Sequence, residues 1–233
     1  AIVGIFVGWS VLTSEAYLDA LSFIIDGVSL TLQVTIISYF IALVAGLIFG
    51  LMRVSDNPIF YAASTLYVEV MRGVPLLVVI LYMGFVVTPR VREATGGRID
   101  LQGLPAAILG IALSYGAYMA EVYRGGIESI EHGQMEAARS LGMNYMQAMR
   151  YVILPQAVRR VLPPLGNNLI SMLKDSSLIS VIALNDLLQT GRLYVSRTYR
   201  AFEGYNTVAL LYLTMTLVLS LAVRIVERKA AIE

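Results

Sequence analysis

The sequence predicts an all-α integral membrane protein with about five transmembrane helices, and three observations carry that expectation. Of the 233 residues, 58% are hydrophobic and 14% charged, where a soluble domain carries about 25% charged residues. Mean hydropathy is +0.73. The apolar residues gather into long uncharged runs separated by arginine-bearing polar segments, and about 20 such residues cross a bilayer as a helix.

Residues 1–12 are apolar but too short to span alone, so residues 1–27 are read as an external or interfacial segment. Val28–Met52 is uncharged and forms the first span. The second, about 57–89, joins Pro58–Val68 to the uncharged run Gly73–Pro89. Leu101–Ala120 starts the third, about 101–124. The fourth, 161–185, is interrupted only by Lys174 and Asp175, and Pro163 and Pro164 are read as its opening turn. Gly204–Val223 lies within the fifth, about 204–226.

Five spans put the termini on opposite faces. With the C-terminus inside, nine basic residues (Arg53, Arg124, Arg139, Arg150, Arg159, Arg160, Arg224, Arg228 and Lys229) face the cytoplasm. Six (Arg90, Arg92, Arg98, Arg192, Arg197 and Arg200) face outward. The bias has the expected sign. It makes 125–160 a cytoplasmic loop. There Gln134–Leu141 reads as a helix, with Glu136 in its first turn and Gly142 as a left-handed terminator. Its apolar face is Ala138 and Leu141, with Met135 and Ala137 nearby. Asn144 is placed to cap a second helix that stops before Pro155.

Several chemistries are excluded. A net charge of +1 points to no nucleic-acid partner, and the absence of cysteine removes disulfides and thiolate chemistry. His132 is the one histidine, which leaves no His-based metal cluster, and no catalytic constellation is visible.

Charges inside a membrane are costly and mark functional positions. Glu69 and Arg72 are spaced to pair, immediately before a helix break at Gly73 and Pro75. Glu121 and Arg124 repeat that spacing at the end of the third span. In the fourth span Asn167, Ser171, Lys174 and Asp175 share one helical face, with Asn168 beside it. That face lines a cavity or a helix interface.

Glu136-Ala137-Ala138-Arg139-Ser140-Leu141-Gly142, followed by Val152-Ile153-Leu154-Pro155, resembles the EAA loop of ABC importer permeases. Gly142 and Leu154-Pro155 fall in register, and Val152 stands where isoleucine is usual. Arg72-Gly73-Val74-Pro75, Ser114-Tyr115-Gly116-Ala117-Tyr118, Pro163-Pro164-Leu165-Gly166-Asn167 and Lys174-Asp175-Ser176-Ser177-Leu178 look like the polar amino acid uptake group, the histidine, glutamine, arginine and glutamate permeases. The resemblance covers roughly residues 28–228.

It implies the type I importer permease fold in a bacterial inner membrane. It also implies two ATP-binding cassette subunits that bind ATP and magnesium, a second permease chain (identical or paired), and an external amino-acid-binding protein. No cofactor belongs to this chain. Glu136, Ala137, Ala138, Leu141 and Gly142 would couple to the ATPase. An amino acid zwitterion needs partners at the midplane. Arg72, Gly73, Asn167, Asn168, Ser171, Lys174, Asp175, Ser176 and Ser177 are the candidates. Alternatively, Lys174 and Asp175 neutralise each other at a dimer interface. The rival reading is a secondary transporter or channel working without an ATPase.

Overall fold

The computed structural model describes residues 14–232. Residues 1–13, nearly half of the expected external segment, lie outside the described residues. The described chain is helical: α1 Glu15–Ile24, α2 Asp26–Arg53, α3 Pro58–Gly73, α4 Leu76–Ala94, α5 Leu104–Glu128, α6 His132–Ser140, α7 Tyr145–Ala148, α8 Leu154–Asp175, α9 Leu187–Thr198 and α10 Ala201–Ile232. A π-helical turn, Met83–Val87, interrupts α4, and another, Met149–Ile153, joins α7 to α8. A 3₁₀ segment, Ser176–Ile182, continues α8.

Among the described residues α2, α5 and α10 are long and apolar enough to cross a membrane. The sharply bent pair α3 and α4 makes a fourth if counted as one broken span. The bend has a local cause. Pro75 excludes its predecessor from the helical region, and Val74 is extended at φ −100°, ψ 131°. α8 and the 3₁₀ segment cover the remaining expected span. The most apolar stretch of α5 is 67% buried and that of α10 only 6%. α5 is therefore a core helix, while α10 presents apolar side chains outward.

The chain divides into two compact units. One comprises residues 14–38, 77–111 and 170–221. Its core is Ala20, Ile24, Leu187, Tyr194 and Val208. Asp186 caps α9 by accepting from the Leu188 and Gln189 amides at 3.3 and 3.0 Å. The Leu187 amide donates to Thr31 Oγ1 at 3.0 Å, tying α9 to α2.

The other unit comprises residues 39–76, 112–169 and 222–232. Here α2 and α5 meet through small residues. A Cβ added at Gly46 would lie 2.6 Å from Met119 Cβ and 3.1 Å from the Gly116 carbonyl oxygen. One added at Gly50 would lie 2.9 Å from the Ala120 oxygen. Gly46 and Gly50 are four apart, the small-residue spacing that lets helices approach in lipid. α3 joins them by stacking Tyr67 on Phe49 at 4.0 Å, and the Tyr67 hydroxyl donates to the Leu113 carbonyl at 2.7 Å.

Two expectations about boundaries need correction. Pro163 and Pro164 do not open a helix but sit inside α8. The helix starts earlier, at Leu154, continuous with the π turn that precedes it. The second loop helix does not stop before Pro155 either. The π turn Met149–Ile153 carries α7 into α8, and its i→i+5 register accommodates the amide that proline lacks.

Candidate functional site

The loop 125–160 folds into an elbow within the second unit. α6 ends in a double-bonded turn. The Gly142 amide donates to the Arg139 carbonyl at 3.0 Å and the Met143 amide to the Ala138 carbonyl at 3.3 Å. Gly142 takes φ +85°, the left-handed conformation this turn requires. α7 starts at once, with Asn144 and Gln147 forming a reciprocal capping box at 2.9 Å in each direction. Three linker residues plus a cap set the angle between two helices.

The faces of α6 differ from expectation. Ala138 is buried and Met135 half-buried against Ile130, Ile153 and Ala157. Leu141 does not join them; it is 82% exposed, and Met146 on α7 is 73% exposed. The left-handed turn after Ser140 swings the chain out of helical register, so the period of the helix no longer governs residue 141. Glu136, Ala137 and Arg139 are exposed. α6 starts at His132, two residues earlier than expected, which moves Glu136 out of the first turn. The His132 side chain lies outside the described part.

The expected Glu69–Arg72 pair is replaced by longer-range partners. Glu69 meets Arg53 at 3.3 Å, and Arg53 also meets Glu121 at 3.1 Å. Arg72 lies over the Tyr118 ring, 5.8 Å from its centroid. Packing of α2, α3 and α5 decides this, because it brings the end of α2 to charges on two other helices. The Glu121–Arg124 pair forms as expected, and Arg124 also holds Glu128. The sequence signal for Arg53 is its place at the end of an apolar span, where a charge seeks charges that close the neighbouring spans.

On α8, Asn167 and Lys174 are exposed, and Asn168, Ser171 and Asp175 are partly so. The neighbouring Met172 and Leu173 are fully buried, so the polar stripe and the packed stripe are distinct. The Asn168 Nδ2 group is buried and has no partner among the described residues. Ser176 is buried, and its hydroxyl donates to the Leu173 carbonyl at 2.8 Å; Ser177 does the same to Lys174 at 2.8 Å. Arg72, Gly73, Asn167 and Asn168 belong to the second unit, and Ser171, Lys174, Asp175, Ser176 and Ser177 to the first. Among the described residues no group of His, Cys, Asp and Glu is placed to hold a metal ion.

Long apolar helices, an ionic cluster at their ends and a broken span are the features of a multi-pass membrane protein, here with a capped elbow bearing exposed apolar residues. The chain belongs to the family of binding-protein-dependent transport system inner membrane components, matching it over residues 42–232. It is 36% identical to a probable amino-acid ABC transporter permease of Bacillus subtilis over 223 residues, 95% of each chain. It is 37% identical to the glutamine transport system permease of Escherichia coli strain K12 over 218 residues, covering 94% of this chain and 97% of that one. An amino acid ABC transporter crystallised with histidines superposes with a TM-score of 0.80 at 38% identity, covering 89% of this chain and 94% of the other. The MetNI methionine ABC transporter, in inward-facing form, gives 0.74 at 26%, covering 94% and 99%. The fold is that of an ABC importer permease.

Proposed function

We propose that this chain is the permease subunit of an ATP-driven importer that takes up polar amino acids handed over by an external binding protein. ATP and magnesium are bound, and ATP hydrolysed, by partner cassette subunits. A second permease chain, identical or related, completes the pathway. The observation that carries this reading is the elbow at 141–146, where Leu141 and Met146 stand out from a polar loop as an apolar knob fit for a socket. The four named relatives and structures, all amino-acid ABC transporters or their permeases, support the substrate class. Residues 125–160 then face the cytoplasm, residues 1–27 lie outside, and Glu136, Ala137, Ala138, Leu141 and Gly142 transmit the motion.

The substrate path follows the polar stripe along α8 and its 3₁₀ continuation, with Asn167, Asn168, Ser171, Lys174, Asp175 and Ser177; Arg72 and Gly73 are separate candidates for the substrate carboxylate. Ser176 supports the stripe from behind. The unpartnered amide of Asn168 favours a neutral polar side chain, and glutamine is the first candidate. The test is reconstitution with the ATPase and binding protein, followed by uptake of labelled glutamine, glutamate, histidine and arginine. Uptake requires ATP, and both Asn168→Ala and Asp175→Asn lower it or reorder the substrates. Normal rates and ranking in both variants would make the stripe structural. Uptake by this chain alone would favour a secondary transporter or channel.

A further inference from the structure

A cavity of about 500 Å³ opens within the second unit, behind the elbow, and its role goes beyond the coupling reading. Its wall gathers the ends of α2, α3 and α5 with α6 and α7, so each element that the elbow must move against contributes a side chain. Two carboxylates line it, Glu128 from α5 and Glu131 from the turn that follows. Tyr61 and Tyr145 add aromatic rings with hydroxyls, and Met135 and Met149 supply flexible apolar surface. Arg53 also reaches the wall, but Glu69 and Glu121 already neutralise it from outside the cavity. Arg124 is shared between Glu121 and Glu128. Arg160 donates to the Ser129 carbonyl. The lining is therefore apolar and aromatic, with two carboxylates, of which Glu128 is held by Arg124 and Glu131 makes no ion pair among the described residues.

We propose that this cavity is a regulatory site for a small organic cation, an ammonium or guanidinium group on an aliphatic body. The cationic head would meet Glu131 and Glu128, and the aliphatic part would lie against Met135, Met149 and the two tyrosine rings. The volume lies in the range of small-ligand sites and exceeds a single lysine or arginine side chain reaching in from a partner, so the occupant is a free molecule. Bound there, it ties α6 and α7 to the ends of α3 and α5. That bracing opposes the elbow's movement and slows coupled transport. The inference rests on residues 125–160 being the coupling loop.

The probe is agmatine, decarboxylated arginine, which lacks the carboxylate of an amino acid substrate. Calorimetric titration uses the complete importer, ATPase included, in nanodiscs. Agmatine binds, binding weakens with salt, and Glu131→Gln weakens it at least tenfold. Glu131 is exposed and its side chain makes no capping bond to α6, so the variant folds and imports normally without agmatine. In the wild type agmatine lowers substrate-stimulated ATPase activity, and in Glu131→Gln it does so far less. Absence of binding, or equal binding to both forms, overturns the proposal. So does binding only to permease stripped of its ATPase, which would mean that the partner fills the cavity. Amino acid uptake in wild-type importer without agmatine is measured in parallel, and its absence would count against the import reading and not against the cavity.

Discussion

Gly142 offers a test in which backbone and side-chain effects separate. Its φ of +85° is forbidden ground for most residues, yet a Cβ added there meets nothing within 4 Å. Steric collision with neighbours therefore contributes nothing, and the whole cost of Gly142→Ala is conformational, about 1–2 kcal/mol for a left-handed L-residue. At about 1 kcal/mol the ratio of native to unwound turn falls about fivefold, and at about 2 kcal/mol about thirtyfold. Valine is worse because a β-branched side chain in this region is a true outlier. Asparagine tolerates it best after glycine. The expected order of uptake and substrate-stimulated ATPase activity is Gly, Asn, Ala, Val, with membrane insertion unchanged in all four. The assay is the reconstituted importer, normalised to inserted protein. Alanine and valine at wild-type rates would refute the coupling role of this turn. Asparagine as damaging as valine would show that side-chain volume, not φ, decides.

Gly46→Leu forces α2 off the Gly116–Ala120 surface of α5 and costs about 1–3 kcal/mol by overpacking. Its unfolding midpoint in detergent drops, while Gly73→Ala, at a position with open space, leaves it unchanged; equal midpoints would contradict the packing account. Because the chain has no native cysteine, single cysteines report topology: Thr95→Cys reacts with an impermeant maleimide in intact cells, and Gln134→Cys only after lysis. The reverse pattern inverts the orientation. Burial pushes the Asp186 carboxyl up to about 6 from 3.8. The folded state thus holds the proton more tightly than the unfolded one, so its contribution to stability is complete below about 3.8 and is lost as pH rises through 6. Asp186→Asn keeps an acceptor for the α9 cap and flattens the profile between pH values of about 3.8 and about 6; an unchanged pH slope there would assign the dependence to another group.

Much of this molecule follows from rules that act along the chain. Val28–Met52 is a span because no charge interrupts it, and the bend after Gly73 follows from the proline at 75. Gly142 terminates α6 because, lacking a Cβ, it takes the left-handed conformation, and Asn144 begins α7 because its side chain caps the first turn. Glu121 pairs with Arg124 because three residues separate them on a helix. Tertiary structure decided the rest. Periodicity says which residues share a face but not which way the face turns, so Ser176 points inward while its neighbour Lys174 is exposed. It says nothing across a turn that leaves helical register, and so Ala138 and Leu141, grouped on one apolar face, part company: the first is buried and the second exposed. Local spacing offered Glu69 the partner at 72, but packing supplied Arg53 from another helix. Proline chemistry made 163 and 164 a natural start, yet α8 began at Leu154, where a π turn absorbed the missing amide of Pro155. At Glu69 a short-range preference worth about a kilocalorie yielded to a contact between segments far apart in the chain, which no single stretch of sequence contains.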